Sequence, residues 1–183
     1  METIEKILVS ARELFTDFGY RKVSMDEIAS NAGVTKKTVY SYFKDKDFLL
    51  KCLIEEEILS LKKIVDFYSS DESLDPFSML NKTMCSLLRY KKESKLLSRL
   101  SREINVYDTV KAIDNSIVSF IKDKLLFFND RLNLNGINID YDLCSFIIYK
   151  VYLSIMFEYD KDINEDEITF NVTQILKNGL FNK

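Results

Sequence analysis

The sequence predicts an all-α protein of about nine helices, and two observations support this fold class. Its 183 residues include one proline and four glycines, so few positions can interrupt a helix. Apolar residues recur every three or four positions, as on one face of a helix, and we find no segment with the alternation typical of strands. The length allows a small helical domain followed by a larger one.

The first predicted helix occupies the beginning of the chain and ends before Gly19. Glycine ends helices readily, so the helix is predicted to stop at Gly19, within Phe18-Gly19-Tyr20. The apolar residues of the helix follow helical spacing and give it one inward face: Ile4, Ile7, Leu8, Ala11, Leu14, Phe15 and Phe18.

A second helix is predicted to begin after Ser24. Ser24 and Glu27 have the spacing of a capping box, in which each side chain satisfies an amide at the start of the helix. Gly33 stands where the end of a helix needs a residue that tolerates positive φ. We therefore expect this helix to end at about Ala32.

A third helix is predicted from Lys36 to about Phe43. Thr35 can cap it, and Val39 and Phe43 lie four positions apart, so that both point inward. Two short helices joined by a turn of about three residues that contains glycine form a helix-turn-helix.

The third helix carries many hydrogen-bond donors outside its inward face. Two lysines and a threonine form its first turn and two tyrosines follow: Lys36, Lys37, Thr38, Tyr40 and Tyr42. Such groups can neutralise phosphates and reach base edges in a major groove. We predict that they contact DNA, with Ser24, Thr35 and Lys46 on the flanking backbone. Considered singly, each lysine also fits an ordinary solvated face, and each tyrosine fits ordinary packing.

The charge distribution agrees with a local nucleic-acid interface. The whole chain has a net charge of -3. Residues 35–46 contain four lysines and one aspartate, which leaves +3 (four minus one), and Arg21 and Lys22 lie nearby in the sequence. The acidic remainder would repel DNA and orient the basic segment toward it.

Residues 2–50 resemble the N-terminal domain of TetR-family transcriptional repressors. Besides the Phe-Gly-Tyr turn, the matching positions are Ser24, Ile28-Ala29, Ala32-Gly33-Val34-Thr35, Val39-Tyr40, Tyr42-Phe43, Lys46 and Leu49. The resemblance implies a dimeric repressor that binds a pseudo-palindromic operator and is released by a small inducer. Lys37 stands where many members have glycine, and Ser41 where many have histidine or tyrosine, so the operator sequence does not carry over from relatives.

The resemblance and the helix pattern together predict two domains. Residues 1–46 are the expected DNA-binding domain, and residues 47–183 the expected effector-binding and dimerisation domain. A long helix should start at Asp45 or Asp47, run through Phe67 and end before the polar turn at 69–76. Further helices are expected at about 76–91, 93–104, 107–132, 140–159 and 165–181.

The segment at 143–157 is apolar around its whole circumference. A helix of this kind must be buried on more than one side, and it is too short to span a bilayer. It fits either a central core helix or a helix packed against a second copy of the chain, and the resemblance favours the second. The expected dimer residues are Phe146, Tyr149, Lys150, Leu153, Phe157, Ile175 and Leu176.

The middle of the chain is rich in large, adaptable apolar residues. In the TetR family, helices in this region surround an inducer cavity, which implies a pocket for a small apolar or amphipathic effector. By physics alone the same residues fit core filling. The predicted pocket residues are Phe67, Tyr68, Met84, Leu88, Phe120 and Phe127. An alternative function is a DNA-organising or assembly protein of the same fold whose C-terminal domain binds a protein partner.

Composition argues against several other classes of protein. The sequence has no histidine, and its glycines stand singly, so the usual general base and a phosphate-binding loop are missing. Cys52, Cys85 and Cys144 are too few and too widely spaced for a disulfide framework or a CxxC metal site. We see no export signal or apolar run of about twenty residues. We therefore expect a cytoplasmic protein that is no enzyme and has no cofactor, no metal and no membrane partner.

Overall fold

The computed structural model of the protein describes residues 2–103, 114–132, 140–155 and 164–175. Across these residues it contains nine helices and no strand, which confirms the all-α prediction. The helices are α1 (Thr3–Phe18), α2 (Met25–Asn31), α3 (Lys36–Tyr42), α4 (Lys46–Ser69), α5 (Pro76–Glu93), α6 (Lys95–Glu103), α7 (Asp114–Leu132), α8 (Tyr141–Leu153) and α9 (Glu165–Ile175). None of these helices has both the length and the apolar character needed to cross a bilayer.

The predicted boundaries agree closely with the observed ones where both exist. Helix α4 starts at Lys46, between the two predicted starting points, and continues without a break to Ser69. Helices α5 and α6 each differ from prediction by at most two residues at either end. The predicted helical segments at 107–113, 156–159 and 176–181 lie outside the described residues.

The chain divides into two compact units. Unit 1 contains residues 1–60 and 92–110, and unit 2 contains residues 61–91 and 111–183. The division falls within α4, and it assigns α6 to unit 1 although the segments before and after α6 belong to unit 2. The predicted boundary between residues 46 and 47 concerns function and stays a prediction.

Unit 1 has a continuous apolar core. Its helices pack pairwise, α1 against α2 and α6, and α2 against α3. Full burial of a large apolar side chain stabilises a fold by roughly 1.5–3 kcal/mol, so this core is the main source of stability in unit 1. Core residues exposed by 2% or less come from every helix of the unit and from the residue after α3: Ile7, Ala11, Phe15, Ile28, Val39, Phe43, Leu49, Leu53 and Leu100.

A buried carboxylate joins three helices of unit 1. Glu57 on α4 is 3% exposed. It accepts hydrogen bonds from the Arg12 guanidinium of α1 and, at 2.9 Å, from Ser94 Oγ, and Ser94 in turn accepts from the amide of Leu97 at the start of α6. Arg12 also donates to the exposed Glu56 at 2.9 Å. Burial lowers the pKa of Arg12, but the hydrogen bonds to Glu57 and Glu56 outweigh it and raise that pKa.

The end of α6 lies against the turn between α1 and α2. Glu103 Oε1 forms an ion pair with Arg99 Nε at 2.7 Å, and Arg99 also donates to the carbonyl of Phe18 at 3.3 Å. A Cβ atom added to Gly19 would lie 2.0 Å from Glu103 Oε1. Gly19 also has φ +90°, so its conformation favours glycine, whereas the Glu103 carboxylate ends a flexible side chain and can move aside.

Unit 2 contains the end of α4 with α5, α7, α8 and α9. Helices α7 and α8 pack along each other, and Lys122 joins them through Asp142 at 2.7 Å. Lys124 of α7 pairs with Asp66 of α4 at 2.6 Å. Cys85 of α5 lies 3.3 Å from the fully buried Thr169 hydroxyl of α9. Polar contacts therefore link each helix of unit 2 to another helix of the same unit.

Candidate nucleic-acid interface

A capping box fixes the start of α2, as predicted. Ser24 Oγ accepts from the amide of Glu27 at 3.2 Å, and Glu27 Oε2 accepts from the amide of Ser24 at 2.7 Å. The Ser24 hydroxyl also donates to Glu27 Oε2 at 2.7 Å, and the hydrogen bonds from this hydroxyl and from the Ser24 amide stabilise the charged carboxylate, so the pKa of Glu27 lies below its ordinary value. The helix then buries Met25, Ile28 and Ala29 against the rest of unit 1.

The turn and the start of α3 also follow the prediction. Gly33 has φ +66°, and the amide of Val34 donates to the carbonyl of Ala29 at 3.0 Å. Thr35 Oγ1 caps α3 by accepting from the amide of Thr38 at 3.1 Å. The buried Val39 anchors the helix, so the side chains on its other sides are turned outward.

Most of the predicted contact residues on α3 are exposed. Tyr40 and Tyr42 are 45% and 47% exposed. Lys36 and Lys37 are also exposed, whereas Thr38 is half-buried and lies 2.8 Å from the Thr35 hydroxyl. The lysines and tyrosines are therefore accessible to DNA. Contact with DNA stays a prediction for all five residues.

Lys36 is held by a carboxylate of the neighbouring helix. Its Nζ lies 2.8 Å from Oδ1 and 2.9 Å from Oδ2 of Asp26, in the first turn of α2. Hydrogen bonding and charge attraction from Asp26 raise the pKa of Lys36. Among the described residues, Lys37 has no ion-pair partner and no hydrogen-bond partner for its ammonium group. The two adjacent lysines therefore differ in how freely they can meet a phosphate.

Lys46 has a structural role in addition to the predicted one. Its half-buried Nζ donates to the carbonyls of Tyr20 and Val23 at 2.9 and 2.8 Å, and lies 4.5 Å from the centre of the Tyr20 ring. Tyr20 Oη in turn donates to Asp47, and burial and this carboxylate raise the pKa of Tyr20. These contacts fix the start of α4 to the turn after α1. An ammonium group has three donors, so one remains for the predicted phosphate contact.

Two acidic residues that shape this surface were not predicted. Asp26 binds Lys36, ten positions away, and Asp47 binds Tyr20, twenty-seven positions away. The available signal was an aspartate in the first turn of each helix, but that position equally suits the positive end of a helix dipole. Only the packing of the helices shows which cation or hydroxyl each aspartate meets.

The six predicted pocket residues occupy different environments. Phe67 was expected inside and is instead 72% exposed near the end of α4, where its ring contacts Tyr68. It lies on an open groove of about 560 Å³ lined also by Lys63, Asp66, Ser70 and Asp71. Leu88, by contrast, is 2% exposed and belongs to the core. Phe67 and Leu88 therefore have different surroundings, and it stays a prediction that the six residues line one pocket.

The remaining pocket residues are partly buried. Tyr68 Oη accepts from Ser86 Oγ at 2.9 Å, and Met84 is half-buried on α5. The ring of Phe120 lies between the ammonium groups of Lys62 and Lys124, at 5.4 and 5.3 Å. The side chain of Phe127 lies outside those that the structure describes.

The predicted dimer residues divide between two faces of α8. Tyr149 and Leu153, four positions apart, are 1% and 5% exposed and lie in the core of unit 2, so placing them in a dimer interface was wrong. Lys150 is half-buried, with Nζ 5.2 Å from the Phe146 ring centre. Phe157 and Leu176 lie outside the described residues.

The opposite side of α8 forms an exposed apolar face. We call it the α8 face, and its members are 43–54% exposed: Leu143, Phe146, Ile147 and Val151. On α9, Phe170 and the predicted Ile175 are 58% and 68% exposed. The predicted surplus of apolar surface is therefore present, on residues that partly differ from those expected.

Two buried polar atoms of unit 2 have no hydrogen-bond partner among the described residues. They are Tyr152 Oη on α8 and Thr173 Oγ1 on α9. Burial raises the pKa of Tyr152 well above its ordinary value. A buried hydroxyl without a partner is destabilising unless a water molecule or ligand supplies one.

Comparisons with known proteins agree with this arrangement. The N-terminal domain of bacterial regulatory proteins of the tetR family matches residues 7–53, which run from α1 into α4. An uncharacterized HTH-type transcriptional regulator of Bacillus subtilis, YhgD, is 26% identical over 166 residues, which cover 85% of this chain and 83% of that protein.

Two solved structures share the whole fold. FadR from Bacillus subtilis in complex with stearoyl-CoA has a TM-score of 0.72 at 16% identity, covering 94% of this chain and 96% of its own. SmeT, the repressor of the Stenotrophomonas maltophilia multidrug efflux pump SmeDEF, has a TM-score of 0.69 at 19% identity, covering 100% and 94%. The family match over residues 7–53 and the relative support a TetR-family transcriptional regulator, and the two solved structures share its fold.

Proposed function

We propose that the protein is a sequence-specific DNA-binding repressor that places α3 in the major groove of its operator. The observation that carries this proposal is the exposed side of a short, capped α3 that bears Lys37, Tyr40 and Tyr42. The capping box of α2, the Thr35 cap of α3 and the buried residues of both helices stabilise the pair, so the outward side chains are positioned before DNA arrives.

The proposal includes a two-fold dimer formed through the α8 face. An apolar face on one helix is destabilising in water unless another surface covers it, and a second copy supplies the same face by symmetry. A two-fold dimer then requires a pseudo-palindromic operator, with half-sites about one helical turn apart or a small multiple of it.

The proposal further includes release from DNA by a small apolar or amphipathic effector bound in unit 2. The buried hydroxyls of Tyr152 and Thr173 support it, because each lacks a partner among the described residues. Fold neighbours suggest which compounds to test first, since one of them was solved with stearoyl-CoA. We therefore propose long-chain acyl-CoA esters as the first class, with a protein partner as the alternative that a negative result would favour.

The DNA-binding proposal is tested by selecting duplexes from a random pool with the full chain. A pseudo-palindromic consensus is expected. Lys37→Ala should then weaken operator binding by on the order of tenfold and relax the preference at one position of each half-site, because a good base contact is worth about 1–3 kcal/mol. Lys82→Ala, on an exposed lysine of α5, is the matched control and should change neither. Recovery of no consensus, or equal losses in both variants, would refute the assignment.

The effector proposal is tested by calorimetry with and without the selected operator. A hundredfold loss of operator affinity requires about 2.7 kcal/mol of differential binding, and linkage requires that operator weaken effector binding by the same factor. Comparing the affinities of stearoyl-CoA and free coenzyme A measures how much the acyl chain contributes to binding. If stearoyl-CoA binds equally with and without operator, it is not an inducer of this protein.

A further inference from the structure

One ion pair of the candidate interface involves a residue that the DNA-binding proposal leaves unused. Asp26 lies in the first turn of α2, and Lys36 is the first residue of α3. Nζ of Lys36 lies within hydrogen-bond distance of both carboxylate oxygens, at 2.8 and 2.9 Å. Both side chains are 60% exposed, so DNA can reach the pair.

The position of Asp26 is unexpected for a DNA-binding surface. In a helix-turn-helix, the first helix crosses the phosphate backbone, and Ser24, two residues before Asp26, is a predicted backbone contact. A carboxylate at this place repels phosphate. It also forms an ion pair with Lys36, the first lysine of α3.

The positive charge of the interface is therefore less available than the sequence implies. Two of the four lysines between residues 35 and 46 are engaged within unit 1, Lys36 by Asp26 and Lys46 by two carbonyls. Lys44 lies 3.8 Å from Asp45, without a hydrogen bond between them among the described contacts. Lys37 is the lysine of this segment for which the described residues supply neither an ion pair nor a hydrogen bond.

We propose that Asp26 is a specificity-determining residue, which suppresses sequence-independent DNA binding by holding Lys36 away from phosphates. This inference rests on the proposed DNA-binding function. Sequence-independent affinity comes from lysines and arginines that neutralise phosphates and release counterions. A lysine already paired with a carboxylate has to leave that partner first, and the freed carboxylate then repels the neighbouring phosphates.

The effect on specific binding is smaller because base contacts determine the position of α3 on the operator. Those contacts hold α3 in one position, so Lys36 does not shift to the nearest phosphate and can stay paired with Asp26. On other sequences no base contact fixes the position, and a freed Lys36 can take whichever phosphate is nearest. Asp26 therefore lowers binding to arbitrary DNA more than binding to the operator.

The experiment measures binding of the full chain to a mixed-sequence duplex over a range of salt concentrations. Asp26→Asn should tighten this binding by about two- to fivefold per subunit, as expected for loss of an exposed ion pair, and steepen the salt slope by about one unit per subunit. In a Lys36→Gln background, Asp26→Asn should have little effect. Asp17→Asn is the control, because it removes an exposed carboxylate of unit 1 that has no ion-pair partner among the described residues, and it should leave the slope unchanged.

Three results would overturn the inference, and they are distinguishable. An unchanged slope and affinity in Asp26→Asn would mean that the pair does not restrain Lys36. An equal gain in the Lys36→Gln background, or in Asp17→Asn, would mean that Asp26 acts through general repulsion. An equal gain on the selected operator would mean that Asp26 sets overall affinity and not specificity. Failure of the unmodified protein to bind any duplex would instead refute the proposed function itself.

Discussion

Units 1 and 2 differ in how their polar and apolar groups are accommodated. In unit 1 the buried carboxylate of Glu57 has partners from two other helices. In unit 2 the buried hydroxyls of Tyr152 and Thr173 have none among the described residues, and the α8 face leaves apolar side chains in water. The Glu57 network is therefore paired within unit 1, whereas unit 2 has two buried hydroxyls and an apolar face for which we propose other partners.

The largest expected effect tests the exposed apolar surface of unit 2. Ile147→Glu on the α8 face should raise the dissociation constant of the proposed dimer by on the order of a hundredfold or more, because burying an unpaired carboxylate costs several kcal/mol. Sedimentation at several concentrations measures this constant. Ser119→Glu, which adds the same charge at an exposed polar position of α7, should leave it unchanged.

The outcome of that test depends on a folded variant. Ile147 is 49% exposed in one chain, so the substitution should preserve the helical circular dichroism of the protein. If the unmodified protein sediments as a monomer at every concentration, the proposed dimer is wrong. If Ser119→Glu dissociates the dimer equally, the interface lies elsewhere.

The next effect tests the polar network of unit 1. Glu57→Ala removes an acceptor from Arg12 and Ser94 and should lower the free energy of unfolding by roughly 2–3 kcal/mol, somewhat less than for a fully buried pair because Arg12 is 35% exposed. Glu56→Ala, which removes an exposed acceptor of the same guanidinium, should cost less than about 1 kcal/mol. Urea denaturation followed by circular dichroism measures both. Equal losses would show that Glu57 has no special role.

Substituting the two glycines with positive φ distinguishes the cost of backbone strain from the cost of a steric clash. Gly33→Ala meets open space but has positive φ, so it should cost about 1 kcal/mol. Gly19→Ala combines positive φ with a clash against Glu103 and should cost roughly 1 kcal/mol more. Adding Glu103→Ala to Gly19→Ala should recover part of the loss. Thermal unfolding of the four proteins measures these differences, and equal costs for the two glycines would contradict the contact between Gly19 and Glu103.

The smallest effect concerns the pH dependence of the capping box. The folded-state pKa of Glu27 lies below its ordinary value of 4.5, so its contribution is fully present above that value and is lost as the pH falls through the lowered folded pKa. Glu27→Gln should therefore flatten the stability curve on the acid side. Ser24→Ala should cost about 1 kcal/mol at neutral pH. If the unmodified protein and Glu27→Gln lose stability equally as the pH falls, Glu27 does not contribute to the pH dependence of stability.

The fold and most of the candidate interface could be predicted because their signals are local. The capping pairs Ser24 with Glu27 and Thr35 with Thr38 lie three positions apart, and Gly33 adopts the positive φ that its place after a helix requires. Burial within a helix also follows from spacing, as Val39 shows.

Long-range pairings could not be predicted in the same way. No local pattern indicates that Asp26 holds Lys36 or that Lys46 binds the carbonyls of Tyr20 and Val23. The segment at 143–157 gave a related error, since a helix that is apolar all round does not show which side faces its own core. In the structure, Tyr149 lies on the buried side of α8, and Ile147 lies on the exposed side.

The most direct test of the account measures how many chains bind each selected operator, by sedimentation of a labelled duplex with the full-length protein. We expect chains to bind in pairs on a pseudo-palindromic sequence, and Lys37→Ala to weaken that binding while the number of chains per duplex stays even. Binding of single chains to a sequence without two-fold symmetry, or equal binding to operator and mixed-sequence duplexes, would contradict a dimeric, sequence-specific regulator that reads DNA with α3.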